Sequence, residues 1–193
     1  MYASVFKRVI DVIFALALVV LFSPVILVIM ILIKRKMGGE ILFSHYRSGK
    51  NLKKFKIYKF RTMIEAPELS DEERITPFGL FLRKYSLDEL PQFFNILKGD
   101  MSFIGPRPLL PEYDEHYSPR QKIRFQAKPG ISGLAQVKGR NTLTWKEKFE
   151  YDVEYVESIS LMNDIAIALR TIVVVLASVG FQNHGESKKF SEE

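Results

Sequence analysis

The chain has 193 residues, a length typical of one compact domain of ~100–200 residues. Its 47% hydrophobic and 26% charged residues exclude a disordered or collagen-like protein. Because cysteine is absent, disulfide scaffolds, cysteine nucleophiles and thiolate zinc sites are excluded, and three scattered histidines do not predict a histidine metal cluster. The net charge of +6 favours anionic partners: nucleic acid, anionic lipid or a phosphorylated substrate.

An apolar segment, 12–33, dominates the N-terminus, with Ser23 as its polar residue and Pro24 beside it. A helix of this length rises about 33 Å, which is enough to cross the hydrocarbon core of a bilayer. The segment is long for the apolar part of a signal peptide, and the basic residues 34–36 follow it where a cleavage site would have small residues. The segment therefore predicts a membrane helix that stays attached.

The flanks and the centre of this segment bear on its topology. Basic residues lie on both sides, at 7–8 and 34–36, and positive charge marks the cytoplasmic side of a membrane segment. Pro24 has no N–H to donate to the carbonyl of Val20, and Ser23 can donate its hydroxyl there instead. A helix broken at Ser23 and Pro24 would have two arms too short to span, and we expect it to enter one leaflet and return. A spanning helix with a proline kink is the alternative.

A basic segment, 41–64, follows the membrane helix and contains aromatic but no acidic residues. Its seven basic residues are Arg47, Lys50, Lys53, Lys54, Lys56, Lys59 and Arg61. Such a segment is attracted to anionic headgroups, although a solvated basic face is the simpler interpretation. The alternation over 55–60 predicts a strand with its basic residues on one face. The membrane-embedded N-terminus argues against nucleic acid as the partner.

The segment 86–99 has the pattern of an amphipathic helix. Apolar residues at the spacing of one helical face are Leu90, Phe93, Phe94 and Leu97. Gly99 predicts the end of the helix, and Pro91 belongs in a first turn, so the helix should begin near 86–88. Asp88 and Glu89 then lie at a helix N-terminus, where the dipole favours negative charge. Acidic residues there are usually caps, so a catalytic role is one of two interpretations.

Two later segments contain residues suited to binding phosphate. Arg107 stands between two prolines in 105–108, and Arg140 is the second-last residue of the glycine-containing segment 128–141. Arginine and turn N–H groups bind phosphate oxygens, although no P-loop or dinucleotide fingerprint is present.

The apolar segment 159–179 predicts a helix that is too interrupted by polar residues to span, so it should lie on a membrane or pack in the core.

Together, these segments resemble the small monotopic phosphoglycosyl transferases of the bacterial sugar transferase family. The matching segments are KRVID (7–11), the Ser23-Pro24 break, KIYKFRTM (56–63), LRKYSLDELPQ (82–92), LKGDMSFIGPRPLL (97–110), KPGISGLAQVKGRN (128–141) and WKEKFEYDVEYV (145–156). The resemblance covers nearly the whole chain in the right order. The chain departs from the family at Ser48, where proline is usual, at Lys138, where asparagine is usual, and in its C-terminal tail.

The resemblance implies that a UDP-sugar gives its sugar-1-phosphate to undecaprenyl phosphate, or another polyprenyl phosphate, and releases UMP. It implies a Mg²⁺ cofactor and a catalytic, metal-binding dyad at Asp88 and Glu89. Candidate phosphate and substrate ligands, by similarity to the family, are Arg83, Arg107, Arg140 and Lys59. Within the family the chain looks most like the transferases of protein N-glycosylation that use UDP-N,N'-diacetylbacillosamine.

The implied fold is α/β, largely helical and monotopic, with a re-entrant N-terminal helix broken at Ser23 and Pro24. The expected units are a membrane helix (1–36), a membrane-associated catalytic domain on the cytoplasmic face of the bacterial inner membrane (37–180) and a polar tail (181–193). We expect Asp88 to form a covalent aspartyl intermediate. The alternatives are a glycosyltransferase that releases UDP and a non-catalytic membrane protein that binds anionic lipid.

Overall fold

The computed structural model of the chain describes residues 2–177, and the predicted tail 181–193 lies outside this range. Helices predominate, and the strands form two small two-stranded sheets. The regular elements are α1 (Lys7–Met37), β1 (Leu42–Ser48), β2 (Lys54–Phe60), α2 (Asp71–Arg74), α3 (Pro77–Lys84), α4 (Gln92–Lys98), β3 (Ser102–Ile104), β4 (Gly130–Ser132), α5 (Leu134–Lys138), α6 (Trp145–Glu157) and α7 (Leu161–Leu176).

Helix α1 is, among the described helices, the one long and apolar enough to cross or enter a membrane. Its most apolar 18-residue window has a mean hydropathy of 3.2, and only 11% of that window is buried in the protein. The helix continues through Pro24, and the Ser23 hydroxyl donates a hydrogen bond of 2.7 Å to the carbonyl of Val20. This is the carbonyl that Pro24 leaves without a backbone donor, so the predicted compensation is confirmed.

Both ends of α1 pack onto the same body of the protein. Near its start, Arg8 donates hydrogen bonds to the carbonyls of Ile96 and Leu97 at the end of α4. At its other end, Arg61 donates to the carbonyls of Met37 and Gly38. Apolar residues of α1 also share a core with β2, α3 and α4. The predicted membrane helix and catalytic domain are therefore joined at both ends of the helix.

The antiparallel hairpin of β1 and β2 confirms the predicted strand at 55–60. Phe55 and Ile57 are buried, whereas Lys54 and Lys56 are exposed. The prediction that the basic residues share one face is wrong for Lys59. Because side chains alternate along a strand, Lys59 lies on the face of Phe55 and Ile57, opposite the exposed lysines.

The predicted start of the helix within 86–99 is also wrong. Asp88 lies in a 3₁₀ turn, Leu87–Glu89, and α4 begins only at Gln92, with Pro91 as its N-cap. Ser86, whose φ of 55° is left-handed, turns the chain sharply before this segment. Because Pro91 has no N–H, the hydrogen bond that it would donate between the turn and α4 is missing.

The predicted buried face of this segment is confirmed at Leu90, Phe93 and Leu97 but is wrong at Phe94. Phe94 is 49% exposed, whereas Asn95 is fully buried. The Asn95 amide donates to the carbonyl of Lys56 at 2.6 Å and accepts from the N–H of Tyr58 at 3.1 Å, so it fixes α4 against β2. The predicted stop at Gly99 is confirmed by its left-handed φ of 92°.

Strands β3 and β4 are parallel and bring the 105–108 loop beside the 128–133 segment. The approach is close, since a Cβ on Gly105 would lie 2.3 Å from the carbonyl oxygen of Lys128.

Helix α7 confirms the predicted C-terminal helix. Its Asp164 accepts hydrogen bonds from Lys7 (2.5 Å), Tyr2 (2.6 Å) and Tyr155 (2.7 Å), and this ties α7 to the start of α1.

Candidate active site

A cleft of about 930 Å³ opens between the β1–β2 hairpin, the 3₁₀ turn at 87–89 and the segments around α5 and α6. All the side chains proposed from the sequence as catalytic or substrate-binding residues line it: Lys59, Arg83, Asp88, Glu89, Arg107 and Arg140. The fold therefore brings together residues that are up to 81 positions apart in the chain.

Glu89 is held by two cations in this cleft. The Lys59 ammonium lies 2.6 Å from its Oε1, and an Arg107 guanidinium nitrogen lies 3.3 Å from the same oxygen. Burial raises the pKa of Glu89, but the charges and hydrogen bonds of Lys59 and Arg107 outweigh burial and lower it to about 2. Glu89 is therefore ionised and fixed in place.

Asp88 has a different environment although it is the neighbouring residue. It is 8% exposed, and the Lys59 ammonium lies 4.0 Å from its Oδ2, at the outer limit of an ion pair. Burial raises the pKa of Asp88 to about 6, and the charge of Glu89 adds to this shift while Lys59 opposes it. The two carboxyl groups therefore differ in both ionisation and restraint, with Asp88 the less constrained.

The remaining predicted arginines lie around the same turn. Arg83 donates a hydrogen bond of 2.9 Å to the hydroxyl of Thr62. Arg140, with a left-handed φ of 52°, donates one of 3.2 Å to the hydroxyl of Ser86, two residues before Asp88. Burial lowers the pKa of Arg140, and the nearby charge of Arg107 lowers it further. Cations therefore surround the carboxylates, as a site for polyanions requires.

Sequence reasoning missed two arginines of the cleft. Arg47 was part of the basic segment only, but it lines the cleft, where burial and then Arg107 lower its pKa to about 10. Arg124 is 2% exposed and donates to the carbonyl of Arg107 at 2.6 Å and to the carboxylate of Asp152 at 2.7 Å. No local pattern marks Arg124, because its partner on α6 is 28 residues away.

Ser48, which stands where the family resemblance leads us to expect proline, contacts the loop that follows Arg107. Its backbone N–H donates to the carbonyl of Leu109 at 3.0 Å, and its hydroxyl donates to Asp114 at 2.7 Å. The proline that is usual at this position could make neither bond. Ser48 therefore adds a direct link between the end of β1 and the loop that follows Arg107.

Comparison with known proteins agrees with the resemblance seen in the sequence. The family model of the bacterial sugar transferases matches residues 2–178. The chain belongs to this family. It is 42% identical to the uncharacterized sugar transferase EpsL of Bacillus subtilis over 97% of this chain and 96% of that protein. The family assignment made from the sequence is thus confirmed.

Two further relatives have names that state a reaction. The UDP-glucose:undecaprenyl-phosphate glucose-1-phosphate transferase of Caulobacter vibrioides is 38% identical over 89% of this chain and 70% of its own length. The undecaprenyl-phosphate galactose phosphotransferase of Salmonella typhimurium is 37% identical over 90% of this chain, which spans only 41% of that longer protein. Sugar-phosphate transfer to undecaprenyl phosphate therefore occurs among the relatives, with more than one sugar.

The residues of this bacterial sugar transferase are compatible with magnesium. Among residues 2–177, no group of three or more acidic or histidine side chains forms a ready-made metal cage. Mg²⁺ usually takes only one or two carboxylates and completes its shell with water and substrate phosphate oxygens. Asp88 and Glu89 supply that number of carboxylates in a cleft rich in cations, so the site fits a metal ion that arrives with a phosphorylated substrate.

Proposed function

We propose that this bacterial sugar transferase moves a sugar-1-phosphate from a UDP-sugar to undecaprenyl phosphate, releases UMP and forms a covalent intermediate on Asp88. The observation that supports this most directly is the unequal pair of carboxylates in one cationic cleft. Glu89 is fixed by Lys59 and Arg107 at 2.6 and 3.3 Å, whereas the ion pair of Asp88 with Lys59 is 4.0 Å long. A nucleophile needs freedom to approach phosphorus, and Asp88 has it.

In the first step, a carboxylate oxygen of Asp88 attacks the β-phosphorus, which bears the sugar. The bond from this phosphorus to the oxygen that bridges the two phosphates breaks, and UMP leaves with that oxygen and the electron pair. The product is an acyl-phosphate between Asp88 and the sugar. Carboxylate nucleophiles form phosphorylated intermediates of this kind, and ping-pong kinetics are their signature.

In the second step, an oxygen of the polyprenyl phosphate attacks the same phosphorus, and the Asp88 oxygen leaves as a carboxylate. The lipid then carries the sugar through a diphosphate. Arg83, Arg107 and Arg140 bind the phosphate oxygens in both steps, and Glu89 keeps Lys59 and Arg107 in position through its ion pairs. Asp88 and Glu89 would hold Mg²⁺, which when bound offsets the negative charge of the diphosphate.

The decisive experiment measures the intact mass of the protein after mixing with a UDP-sugar and Mg²⁺ but no acceptor. We expect the wild type to gain the mass of one sugar-phosphate and to release UMP, and Asp88→Asn to do neither. The matched control is Glu68→Gln, which neutralises an exposed carboxylate outside the cleft and should behave as the wild type. Release of UDP would show a glycosyltransferase instead, and a wild type that gains no mass and releases no nucleotide with any UDP-sugar would favour the non-catalytic lipid-binding alternative.

The donor sugar is tested by the same assay with a panel of UDP-sugars. The sequence resemblance favours UDP-N,N'-diacetylbacillosamine, and the named relatives bring UDP-glucose and UDP-galactose into the panel. We expect the true donor to release UMP fastest when undecaprenyl phosphate is present. A role in protein glycosylation follows only if diacetylbacillosamine is the preferred sugar.

We also propose that α1 is re-entrant, with the catalytic body on the cytoplasmic face of the bacterial inner membrane. A straight helix of 31 residues would be about 46 Å long and would place its ends on opposite sides of a bilayer. Arg8 and Arg61 instead bind the same body at the two ends of the helix. Helix α1 is continuous in the structure, and the backbone hydrogen bond missing at Pro24 is where we propose that it bends to return in a membrane.

Cysteine labelling tests this topology, since the chain has no cysteine of its own. Ala3→Cys and Glu40→Cys place one thiol before and one after α1, at exposed positions. We expect an impermeant thiol reagent to label neither in intact spheroplasts and both in opened membranes. Labelling of Ala3→Cys alone in intact spheroplasts would show a spanning helix.

A further inference from the structure

The cleft contains two uncharged polar side chains that the proposed chemistry does not use. His45 lies on β1 and Gln136 lies on α5, and both line the cleft. Both ring nitrogens of His45 and both amide atoms of Gln136 are buried without a hydrogen-bond partner among residues 2–177. Nearly all buried polar groups in native proteins are paired, so such groups beside a cleft are available to bind a ligand that enters it.

The hydrogen-bonding groups of His45 and Gln136 restrict the kind of ligand that can bind there. The Gln136 amide presents a donor and an acceptor side by side and has no charge. Burial lowers the pKa of His45 to about 4, and Arg47 and Lys59 add to this shift, so the imidazole is neutral near pH 7. A neutral imidazole also offers one donor and one acceptor. Both groups therefore suit an uncharged partner that donates and accepts hydrogen bonds, whereas the arginines suit phosphate.

His45 lies near the carboxylates, and Gln136 lines the same cleft from α5. His45 is paired across the hairpin with Ile57, and Lys59, two residues further along β2 on the same face, contacts Glu89. Gln136 lies four residues before Arg140, whose guanidinium is bonded to Ser86 beside the dyad. A ligand whose phosphates occupy the cationic part of the cleft would extend its uncharged part towards these groups.

We infer that His45 and Gln136 form a neutral subsite that binds the uncharged, hydrogen-bonding part of the nucleotide-sugar donor. The inference rests on the proposed function, because that function places a nucleotide sugar in this cleft. Two parts of such a donor have the required chemistry. One is the imide edge of the uracil base, and the other is the hydroxyl or acetamido groups of the sugar.

The test measures affinities rather than turnover. Trp145 is the single tryptophan of the chain and lines the cleft, so its fluorescence reports ligand binding. UMP, glucose-1-phosphate and inorganic pyrophosphate are titrated against the wild type, Gln136→Met and His45→Phe. The control is Gln126→Met, the same change at an exposed glutamine that does not line the cleft.

We expect each cleft variant to lose about tenfold in affinity for UMP or for glucose-1-phosphate, the loss typical of one hydrogen bond, and to keep its affinity for pyrophosphate. A loss confined to UMP assigns the subsite to the base, and one confined to glucose-1-phosphate assigns it to the sugar. Unchanged affinities for both, or an equal loss for pyrophosphate, would overturn the inference. Two different side chains are changed so that misfolding of one variant leaves the other to decide.

Failure of the neutral subsite can be distinguished from failure of the proposed function. If the wild type releases UMP from a UDP-sugar but the cleft variants bind every probe normally, only the neutral subsite is wrong. If the wild type releases no UMP with any donor in the panel, the proposed function fails, and the binding data still decide whether the subsite recognises an uncharged group.

Discussion

Replacing Asp88 by asparagine should stabilise the protein above pH 6 even though it abolishes turnover. The structure raises the pKa of Asp88 from an ordinary 3.8 to about 6, chiefly because the side chain is only 8% exposed. Each unit of pKa corresponds to 1.36 kcal/mol, so ionising Asp88 in the folded protein costs ~3 kcal/mol. Asparagine has a similar shape and no charge, and it avoids this cost.

The shifted pKa of Asp88 makes the free energy of unfolding depend on pH. Well below pH 3.8 the carboxyl is protonated in both the folded and the unfolded protein, so Asp88 does not affect the free energy of unfolding. As the pH rises from 3.8 towards about 6, the unfolded chain releases its proton first, and the folded state loses stability. Glu89, with its pKa lowered to about 2, acts at lower pH: its stabilisation is present above pH 4.5 and is lost as the pH falls towards 2.

Thermal unfolding of the detergent-solubilised protein, followed by circular dichroism, measures the effect. For a chain of this size ~3 kcal/mol raises Tm by about 6–12 °C, so we expect Asp88→Asn to unfold that much higher than the wild type at pH 8 and nearly equally at pH 4. Glu68→Gln should show no such trend. The reasoning is refuted if Asp88→Asn is destabilised at pH 8, or if its stabilisation is the same at both pH values.

Three further substitutions test the cleft. Arg107→Lys keeps the charge but loses the planar guanidinium that binds two oxygens, so UMP release should fall about tenfold or more at an unchanged Tm; a wild-type rate would contradict its role. Ser48→Pro removes both the N–H bond to Leu109 and the hydroxyl bond to Asp114 and should cost ~2–3 kcal/mol, seen as a lower Tm. Arg124→Met leaves Asp152 buried and unpaired and should cost about 3–5 kcal/mol, whereas adding Asp152→Leu should restore Tm but not UMP release. Full activity of the double variant would show that the Arg124 bond to the Arg107 carbonyl is dispensable.

The elements that local pattern determines were predictable from the sequence. The alternation of β2, the apolar helix α7 and the stop at Gly99 all depend on neighbouring residues, and the structure confirms them. The start of α4 was not predictable in the same way. The missing N–H of Pro91 is visible in the sequence, but the left-handed backbone of Ser86, which turns the chain before this segment, is not.

The residues of the candidate site also differ in whether the sequence alone could predict them. Arg107 and Arg140 were singled out from their own loops and Arg83 from the family resemblance, but no single-sequence pattern shows that such distant residues meet in one cleft. The position of Lys59 could have been found, since strand alternation places it with Phe55 and Ile57 rather than with the exposed lysines. Arg124 could not, because its role depends on contacts 17 and 28 residues away.

The end of α1 also sets the distance between the cleft and a bilayer. Arg61 lines the cleft and binds the carbonyls of Met37 and Gly38, so the cleft begins where the apolar helix ends. The last turn of that helix carries the basic residues 34–36, which anionic headgroups attract. Leu42 and Phe43, 45% and 51% exposed, line the same rim. The phosphate of a polyprenyl acceptor is confined to the headgroup plane. In the proposed topology it therefore reaches the cleft while its lipid chain stays in the membrane. The soluble UDP-sugar enters the cleft from the aqueous side.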